Sequence, residues 1–497
     1  MLTAAIFVPL AASVVLALLR LDGNNPRTVA WLRAGSTVVA AVPLLLLAVV
    51  WSRFEGTGGF ELVEHVPWIP TLGVGYTVGV DGVSLPLAAM SALVFTAAIV
   101  YPVDLRGRAR AYYALFLFLQ AASLGVFLAL DLFLFFVFWD VSLVGMYFLI
   151  GVWGHGDAQR SALKFFIYTF AGSLALLLGI IGLFLATEPR TFDMATIIAQ
   201  QPLADGGLFA TLVFLGLTIG FAVKTPLVPV HTWLPPAHVD APGPASAVLA
   251  GVLLKMGTYG FVRIAMSMLP DTFARFAFPL GVLAVVAIVY GALVALAQTN
   301  VKRLIAYTSI THMGYVILGL AAAGAAVGGQ RAAQAVALTG ATVEMIAHGL
   351  ITGALFLISG SLLARGNTYQ MDAYGGLAAR TPVLTVFTAV AAFASLGLPG
   401  LAGFVAEFQI FTGALAVYPW LAGLGLLGIV LTAALFLRML QKLFLGPLPD
   451  RWRDWPELNR IEIGALTVLL VLVVVIGVAP AWLLDVIDSA AGPFVDR

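Results

Sequence analysis

The 497-residue sequence contains no cysteine. This absence excludes disulfide bonds, thiolate metal sites, cysteine-ligated iron–sulfur clusters and thiol catalysis. If the protein takes part in electron transfer, the redox centres must therefore be held by other chains.

Charged residues are also scarce. They make up 10% of the chain and the formal net charge is only +1, so neither nucleic acid nor another strongly charged partner is expected. Hydrophobic residues make up 61%, with a mean hydropathy of +1.04, which is more than a soluble globular protein needs. Apolar runs long enough to cross a bilayer recur along the whole chain. The sequence therefore predicts an all-α polytopic membrane protein.

Hydropathy predicts about fourteen transmembrane helices joined by short connections, with no soluble domain between them. Two connections are longer, residues 52–80 and residues 187–206, and the second has room for a short amphipathic piece. The first apolar run, Leu2 to Leu19, lacks a preceding basic region, so it is interpreted as a retained span and not as a signal peptide. The spans lie near residues 2–20, 29–51, 81–103, 110–129, 131–152, 161–187, 207–234, 243–268, 274–297, 301–323, 332–364, 382–414, 419–444 and 461–488.

Lysine and arginine are distributed unevenly between the two sides of this arrangement. Loops after odd-numbered spans hold 17 of them, counting Lys302, and the opposite side holds 6, counting Arg263. Because basic residues collect on the cytoplasmic side, both termini are expected on the non-cytoplasmic side. The two remaining basic residues, Lys224 and Lys255, lie deep inside apolar runs.

Helix breakers interrupt two of the spans at membrane depth. They are Lys224-Thr225-Pro226 with Pro229 in the seventh span, and Leu398-Pro399-Gly400 in the twelfth. Proline removes a backbone donor and clashes with the preceding turn, so the freed polar groups must face protein or water. Broken helices five spans apart indicate an internal repeat, with the functional site near the breaks. The predicted organisation is helices 1–3 in residues 1–109, two inverted five-helix repeats in residues 110–270 and 271–445, and helix 14 in residues 446–497.

Ionisable side chains within the apolar spans are the candidate functional residues, because each costs at least about 2.5–3.5 kcal/mol on insertion scales. Burial brings lysine and carboxyl groups toward neutral pKa values, and histidine titrates there already, so such a set suits proton transfer. An acid near Lys224 could load or release its proton when their separation changes. The alternative, that the buried charges only hold helices together, stays open. The candidates are Asp140, Lys224, Lys255, His312, His348 and Glu407.

Three other features carry less weight. Glu344 lies four residues before His348, on the same helical face, and either a structural or a functional role fits it. His231 and His238 lack the further ligands of a metal site, so packing or hydrogen bonding is expected there. The GxGxxG string at residues 423–428 has no preceding strand, which argues against a dinucleotide site. No cofactor-binding or metal-binding residue is therefore predicted.

Several long strings resemble one known family. Residues 221–238, from Phe221-Ala222-Val223-Lys224-Thr225-Pro226 to His238, resemble the broken seventh helix of the antiporter-like subunits of respiratory complex I. Residues 249–260 are similar to the eighth helix of those subunits, and residues 302–314 look like the tenth. The family has three paralogous types, L, M and N, and shares its pattern with the large subunits of multi-subunit sodium/proton antiporters.

The resemblance is strongest to the M type. There the ionisable residue of the broken twelfth helix is usually glutamate, as Glu407 is here, whereas the L and N types usually carry lysine. The chain also ends after the fourteenth span, without the lateral helix of the L type. One residue departs from the family, because its fifth-helix acid is normally glutamate and here is Asp140. A side chain one methylene shorter leaves the pairing geometry with Lys224 open.

The resemblance implies a proton-translocating subunit of an NADH:quinone oxidoreductase in the cell membrane, with L-type and N-type neighbours. This chain would be part of a translocase without doing redox chemistry itself, while NADH, FMN, iron–sulfur clusters and quinone would be bound by partner subunits. Three alternatives remain: the large subunit of a sodium/proton antiporter, an N- or L-type paralogue, and a largely structural membrane-arm subunit.

Overall fold

The structure, a computed structural model, describes residues 1–19 and 25–495. Arg20 and Arg497, which both enter the count of basic residues, lie outside the described residues. The helices are α1 (Leu2–Leu18), α2 (Pro26–Arg53), α3 (Ser84–Val100), α4 (Ala109–Leu128), α5 (Leu132–Trp153), α6 (Ala158–Ala186), α7 (Met194–Gln200), α8 (Leu208–Lys224), α9 (Leu234–Asp240), α10 (Gly243–Met266), α11 (Pro270–Leu296), α12 (Val301–Ala323), α13 (Arg331–Gly366), α14 (Pro382–Ser395), α15 (Ala402–Val417), α16 (Pro419–Phe444), α17 (Arg460–Val478) and α18 (Ala481–Val495).

The exterior of this helical bundle is strongly apolar. Large hydrophobic side chains point outward along most helices, including Leu178 at 70% exposed and Trp420 at 86% exposed. Within the described residues, ten helices are long and apolar enough to cross a bilayer, and five shorter apolar helices accompany them. The chain is thus a multi-pass membrane protein, while the count of fourteen spans stays a prediction.

The start of the fifth helix falls at its predicted boundary, where a capping residue stands. The fifth predicted span, residues 131–152, corresponds to α5. Asp131 stands just before this helix and accepts hydrogen bonds from the backbone N–H groups of Phe133 (2.9 Å) and Leu134 (3.0 Å). A carboxylate in this position satisfies donors that the first helical turn cannot pair internally.

Both predicted helix breaks are present. Helix α8 ends at Lys224 and the chain resumes as α9 at Leu234, and α14 ends at Ser395 before α15 begins at Ala402. In the second break, Gly397 (φ +77°) and Gly400 (φ +90°) adopt backbone conformations that residues with a Cβ disfavour. The breaks therefore confirm the interpretation of the proline and glycine strings, while the inverted repeat relation between residues 110–270 and 271–445 stays a prediction.

The structure differs from the all-α expectation at one place and from a predicted span end at another. Residues 52–80 contain an antiparallel β-hairpin, β1 (Glu61–Ile69) and β2 (Val74–Val80). The last predicted span, residues 461–488, ends earlier, because Ala479 precedes Pro480 and leaves the helical region at φ −134° and ψ 69°. The helix after Pro480 is a separate element.

Two basic residues assigned to loops are buried within helices. Lys302, the second residue of α12, is 0% exposed, and Arg263 in α10 is 2% exposed. The loop assignment was wrong, because it assumed that a basic residue near the end of a span must lie in the loop, where water can solvate its charge. Arg263 instead donates to Asp81, which precedes α3, and to the Tyr259 hydroxyl at 3.0 Å.

Small residues bring α6 and α8 close together and so fix the position of Lys224. A Cβ added at Gly172 of α6 would lie 2.9 Å from Val223 Cβ, and one added at Gly179 would lie 2.7 Å from the Leu217 side chain. Glycine at such contacts lets helices pack tightly inside a membrane. Substituting larger residues there would displace the end of α8 that carries Lys224.

Candidate functional site

The Lys224 side chain is buried where α8 breaks, at 2% exposed. Its ammonium group donates to Ser142 Oγ at 3.1 Å and lies 5.0 Å from the centre of the Trp139 ring. Ser142 in turn donates to the Trp139 carbonyl oxygen at 2.6 Å. A serine and an aromatic face of α5 thus surround the ammonium group.

Asp140 is not in direct contact with Lys224, although the two side chains interact electrostatically. Trp139 and Ser142, three residues apart, share the face of α5 that meets Lys224, whereas Asp140 lies about 100° further around the helix. Asp140 is partly exposed, and its Oδ1 atom is buried without a hydrogen-bond partner. The structure therefore places Asp140 near Lys224 but on a different face of α5, and the described residues show no ion pair between them. Ser142, which sequence reasoning missed, is the direct partner.

Lys255 lies in the middle of α10 and is completely buried. Its ammonium group donates to the Ala250 carbonyl oxygen and to His348 Nδ1, both at 2.5 Å. The stretch Leu249–Leu253 is π-helical, and such wider turns loosen the regular backbone pairing and recur at functional sites. The lysine therefore finds one acceptor on its own helix and one on α13.

The contacts continue from His348 to His312 and Glu344. The rings of His348 and His312 have centres 5.3 Å apart. His312 Nδ1 is 3.0 Å from Glu344 Oε1, and His312 Nε2 is 3.0 Å from Ser395 Oγ, at the end of α14. Buried polar groups from α10, α12, α13 and α14 thus form one connected set at the second break.

Two atoms in this set lack partners. His348 Nε2 and Glu344 Oε2 are both buried without a hydrogen bond. Unpaired buried polar atoms are costly and are often completed by internal water. Each of these two atoms therefore has the capacity for one more hydrogen bond.

Glu407 lies in α15, facing the second break. It is 4% exposed, and its Oε2 would be 2.1 Å from a Cβ placed on Gly397. The carboxylate interacts electrostatically with Glu344. Tyr315 packs between His312 and Phe411, and the centre of its ring is 5.5 Å from the ring centre of each. Glu407 also lines a groove of about 300 Å³ together with Phe404, Phe408, Phe411 and Leu426.

A third buried lysine, Lys302, lies nearer one end of the bundle and was missed as a site residue. It donates to the carbonyl oxygens of Ala241 and Val239 (3.5 Å), and its ammonium group lies 5.1 Å from the Tyr369 ring centre. Its position two residues into a predicted span concealed it, because hydropathy treats such a residue as part of the loop.

His238 lies between Lys302 and Lys255. It interacts electrostatically with both lysines, is 0% exposed, and has no hydrogen-bond partner on either ring nitrogen. Its ring stacks on Phe356 at 4.5 Å. The packing role expected for His238 is therefore present, and its ring lies within electrostatic range of both lysines without a hydrogen bond to either.

His155, in the loop after α5, lies at the same end of the bundle. Burial and the neighbouring Lys302 and Arg106 lower the pKa of His155 to about 4. This histidine is therefore neutral at physiological pH, because its imidazolium would be both desolvated and repelled.

Groups of three or more histidine, aspartate or glutamate residues that could hold a metal ion do not occur among the described residues. The GxGxxG string lies inside helix α16, with no strand before it. What the site offers chemically is a series of buried proton donors and acceptors on adjacent helices.

The comparisons with known proteins agree with this arrangement. Residues 129–432 match the family model described as NADH:quinone oxidoreductase/Mrp antiporter, transmembrane. The chain belongs to this family. It is 37% identical over 511 residues to NADH-quinone oxidoreductase subunit M of Rhodobacter capsulatus, covering 99% of this chain and 95% of the relative. It is also 39% identical over 439 residues to F(420)H(2) dehydrogenase subunit M of Methanosarcina mazei, covering 87% and 86%.

Solved structures show the same architecture. The chain superimposes on a chain of respiratory complex I from Thermus thermophilus with a TM-score of 0.87 and 30% identity, covering 100% of this chain and 99% of the other. A chain of the Mrp complex from Dietzia gives a TM-score of 0.85 at 21% identity, covering 100% and 97%. At 21% identity, the likeness to the Mrp chain shows a shared fold alone. The predicted family and the predicted membrane fold are confirmed.

The position of the Glu407 carboxylate can be tested through Gly397. Gly397→Ala and Gly400→Ala both place a Cβ on a backbone of positive φ and should each cost about 1–2 kcal/mol of stability. Only Gly397→Ala also collides with the carboxylate, since nothing lies within 4 Å of a Cβ at Gly400. We expect similar losses of thermal stability, but a Glu407 side chain rotated away in the structure of Gly397→Ala alone. An unmoved carboxylate in that variant would show that the contact is loose.

Proposed function

We propose that this chain is one proton-translocating membrane-arm subunit of a redox-driven quinone oxidoreductase of the complex I type. The observation that carries the proposal is the connected series of Lys255, His348, His312 and Glu344, which crosses three helices without an exposed member. A structural ion pair needs two groups, whereas this series places titratable groups one after another. Such a series suits stepwise proton transfer.

The proposed path has three parts. Lys224 with Ser142 and Asp140 is the switch at the first break, Lys255 is the central relay, and Glu407 is the terminal group at the second break. His348 and His312 carry the proton between Lys255 and the second break, with Glu344 as the acceptor beside His312. A water molecule or a ring rotation must bridge from His348 Nε2, because this buried atom has no hydrogen-bond partner among the described residues.

Lys302 and His238 extend the path toward one end of the bundle. A protonated Lys302 disfavours the protonation of His238, because like charges repel in a medium of low dielectric constant. A protonated His238 disfavours the protonation of Lys255 for the same reason. Release at one position therefore favours uptake at the next. The direction of proton movement is set by the end of the path at which the driving reaction acts.

The names of the relatives support a redox partner over a free-standing antiporter. The relatives at 36% identity or more include subunits named for NADH, NAD(P)H and F(420)H(2) oxidation, whereas the Mrp likeness is at 21% identity. Because these relatives are named for different electron donors, we propose that the donor is chosen by other subunits. NADH, flavin, iron–sulfur clusters and quinone would be bound there, and this chain would supply the enzyme's ion translocation.

The remaining finer assignments follow from the same proposal. We place the chain in the plasma membrane between L-type and N-type neighbours, with both termini on the non-cytoplasmic side. The burial of Lys302 and Arg263 removes one residue from each side of the count, so the excess of basic residues on the cytoplasmic side remains.

Lys224→Ala tests the switch. The variant keeps the helix end but removes the ammonium group that contacts Ser142 and Trp139, so we expect normal assembly with most of the proton uptake per electron lost. Lys442→Ala is the matched control, because Lys442 pairs with Asp372 in a partly exposed site away from the path. Proton uptake and quinone reduction are measured in membranes with verified subunit content. Wild-type coupling in Lys224→Ala would remove this lysine from the mechanism.

Glu407 is tested by two substitutions of different chemistry. Glu407→Gln keeps size and hydrogen bonding but cannot release a proton, so it should assemble and lose most coupled turnover. Glu407→Asp keeps an ionisable carboxyl group and should retain a substantial part. Quinone reductase activity and proton uptake are followed together. Full coupled activity in Glu407→Gln would assign the carboxylate a structural role.

A further inference from the structure

A buried ion pair that the proposed proton path does not use closes one end of α10. Arg263 is 2% exposed and donates to the carboxylate of Asp81, which is 4% exposed and stands between β2 and α3. Arg263 Nε also donates to the Tyr259 hydroxyl at 3.0 Å, and that hydroxyl donates to the Phe127 carbonyl oxygen at 3.1 Å. Buried charges are costly, and apolar residues of similar size often pack as stably. Packing alone therefore does not explain the pair.

The ion pair lies between Lys255 and the end of α10. Lys255, Tyr259 and Arg263 are spaced four residues apart, and residues at this spacing are neighbours on a helix surface. Eight residues correspond to about 12 Å along the helix axis. The Lys255 ammonium group points the other way, toward the Ala250 carbonyl oxygen. Arg263 therefore stands at the end of the helix that the lysine faces away from.

This end of α10 is close to the protein surface. Phe60, in the loop before β1, is partly exposed, and its ring centre lies 4.8 Å from Arg263 Cζ. Helix α18 packs beside the pair, because a Cβ added at Gly82, next to Asp81, would lie 2.1 Å from the Val486 carbonyl oxygen. Only the hairpin loop and α18 thus cover the pair in the described part of the chain, so a proton that passed Arg263 would soon reach the surface.

The two charges are arranged with the cation toward the interior. Asp81 Oδ1 accepts hydrogen bonds from the backbone N–H groups of Val83 (3.1 Å) and Ser84 (2.8 Å), where the start of α3 compensates its charge. The guanidinium group faces Tyr259, on the side toward the middle of α10. A proton that approaches from there meets a group that stays charged and cannot accept it. Fixed arginines exclude protons from membrane pores in this way.

We propose that Arg263 is an electrostatic barrier that prevents protons of the Lys255 series from escaping along α10. The inference rests on the proposed function, because a barrier is needed only if Lys255 carries a proton. Asp81 and Tyr259 are positioning residues that hold the guanidinium group across this end of the helix. With this end closed, the proton on Lys255 moves to His348 and on toward the second break.

Passive proton permeability of proteoliposomes that contain the assembled complex tests the barrier. A pH step is applied without an electron donor, and a trapped pH-sensitive dye reports proton entry. Asp81→Asn/Arg263→Gln removes the cation, so we expect proton entry at least about tenfold faster than in wild type and fewer protons translocated per electron. Asp81→Asn alone also breaks the ion pair but keeps the cation, so we expect wild-type permeability.

Arg365→Gln/Glu462→Gln is the matched control. This second pair of an arginine with a carboxylate is also shielded, with side chains 11% and 4% exposed. It lies at the opposite end of α3, where Tyr101 contacts Ser361 Oγ at 2.6 Å and Ser361 donates to Glu462 at 2.5 Å. We expect its removal to leave proton permeability at the wild-type level.

Three results would overturn the inference. Wild-type permeability in Asp81→Asn/Arg263→Gln and in the smaller Asp81→Asn/Arg263→Ser, with proton translocation still lost in Lys255→Met, would remove the barrier and leave the proposed function intact. Equal leaks in Asp81→Asn and in the double variants would assign the pair a structural role. Wild-type proton translocation in Lys255→Met would instead remove the proposed function on which the barrier rests.

Discussion

The contact between Lys255 and His348 is the interaction on which the rest of the site depends. An ammonium group with no exposed surface is stable only if acceptors surround it, and here those acceptors are one backbone carbonyl and one imidazole nitrogen. The π-helical stretch before Lys255 and the close packing of α10 against α13 both serve this arrangement. Because the imidazole can also accept the proton, the group that stabilises the charge is the group that can carry it onward.

Much of the fold could be predicted because hydropathy and helix breakers act locally. The proline and glycine strings marked both breaks, and apolar runs marked the helices, since each depends only on neighbouring residues. The β-hairpin could not be found this way, because strands of nine and seven residues are too short to register in a search for membrane-spanning helices. Lys302 and Arg263 were misplaced for a similar reason: their acceptors, the Ala241 carbonyl and Asp81, are distant in sequence.

The candidate site was predictable in its membership and less so in its connections. Ionisable residues in apolar sequence are conspicuous, so Lys224, Lys255, His312, His348 and Glu407 were all found buried as expected. Which groups touch depends on helix rotation, which hydropathy does not report. Asp140 therefore lies one face away from Lys224, Ser142 takes its place, and Glu344, which could have had either role, is bound to His312. The roles in proton transfer stay predictions.

The number of protons translocated per electron in a Lys255→Met variant tests the central claim most directly. Methionine is unbranched, only one atom shorter than the lysine side chain, and fits an apolar helix, but it can neither hold a proton nor donate one to His348. If Lys255 is the relay, the assembled variant should translocate far fewer protons per electron than wild type while still reducing some quinone. A wild-type ratio in an assembled Lys255→Met complex would contradict the account, because protons would then pass through this chain without its central group.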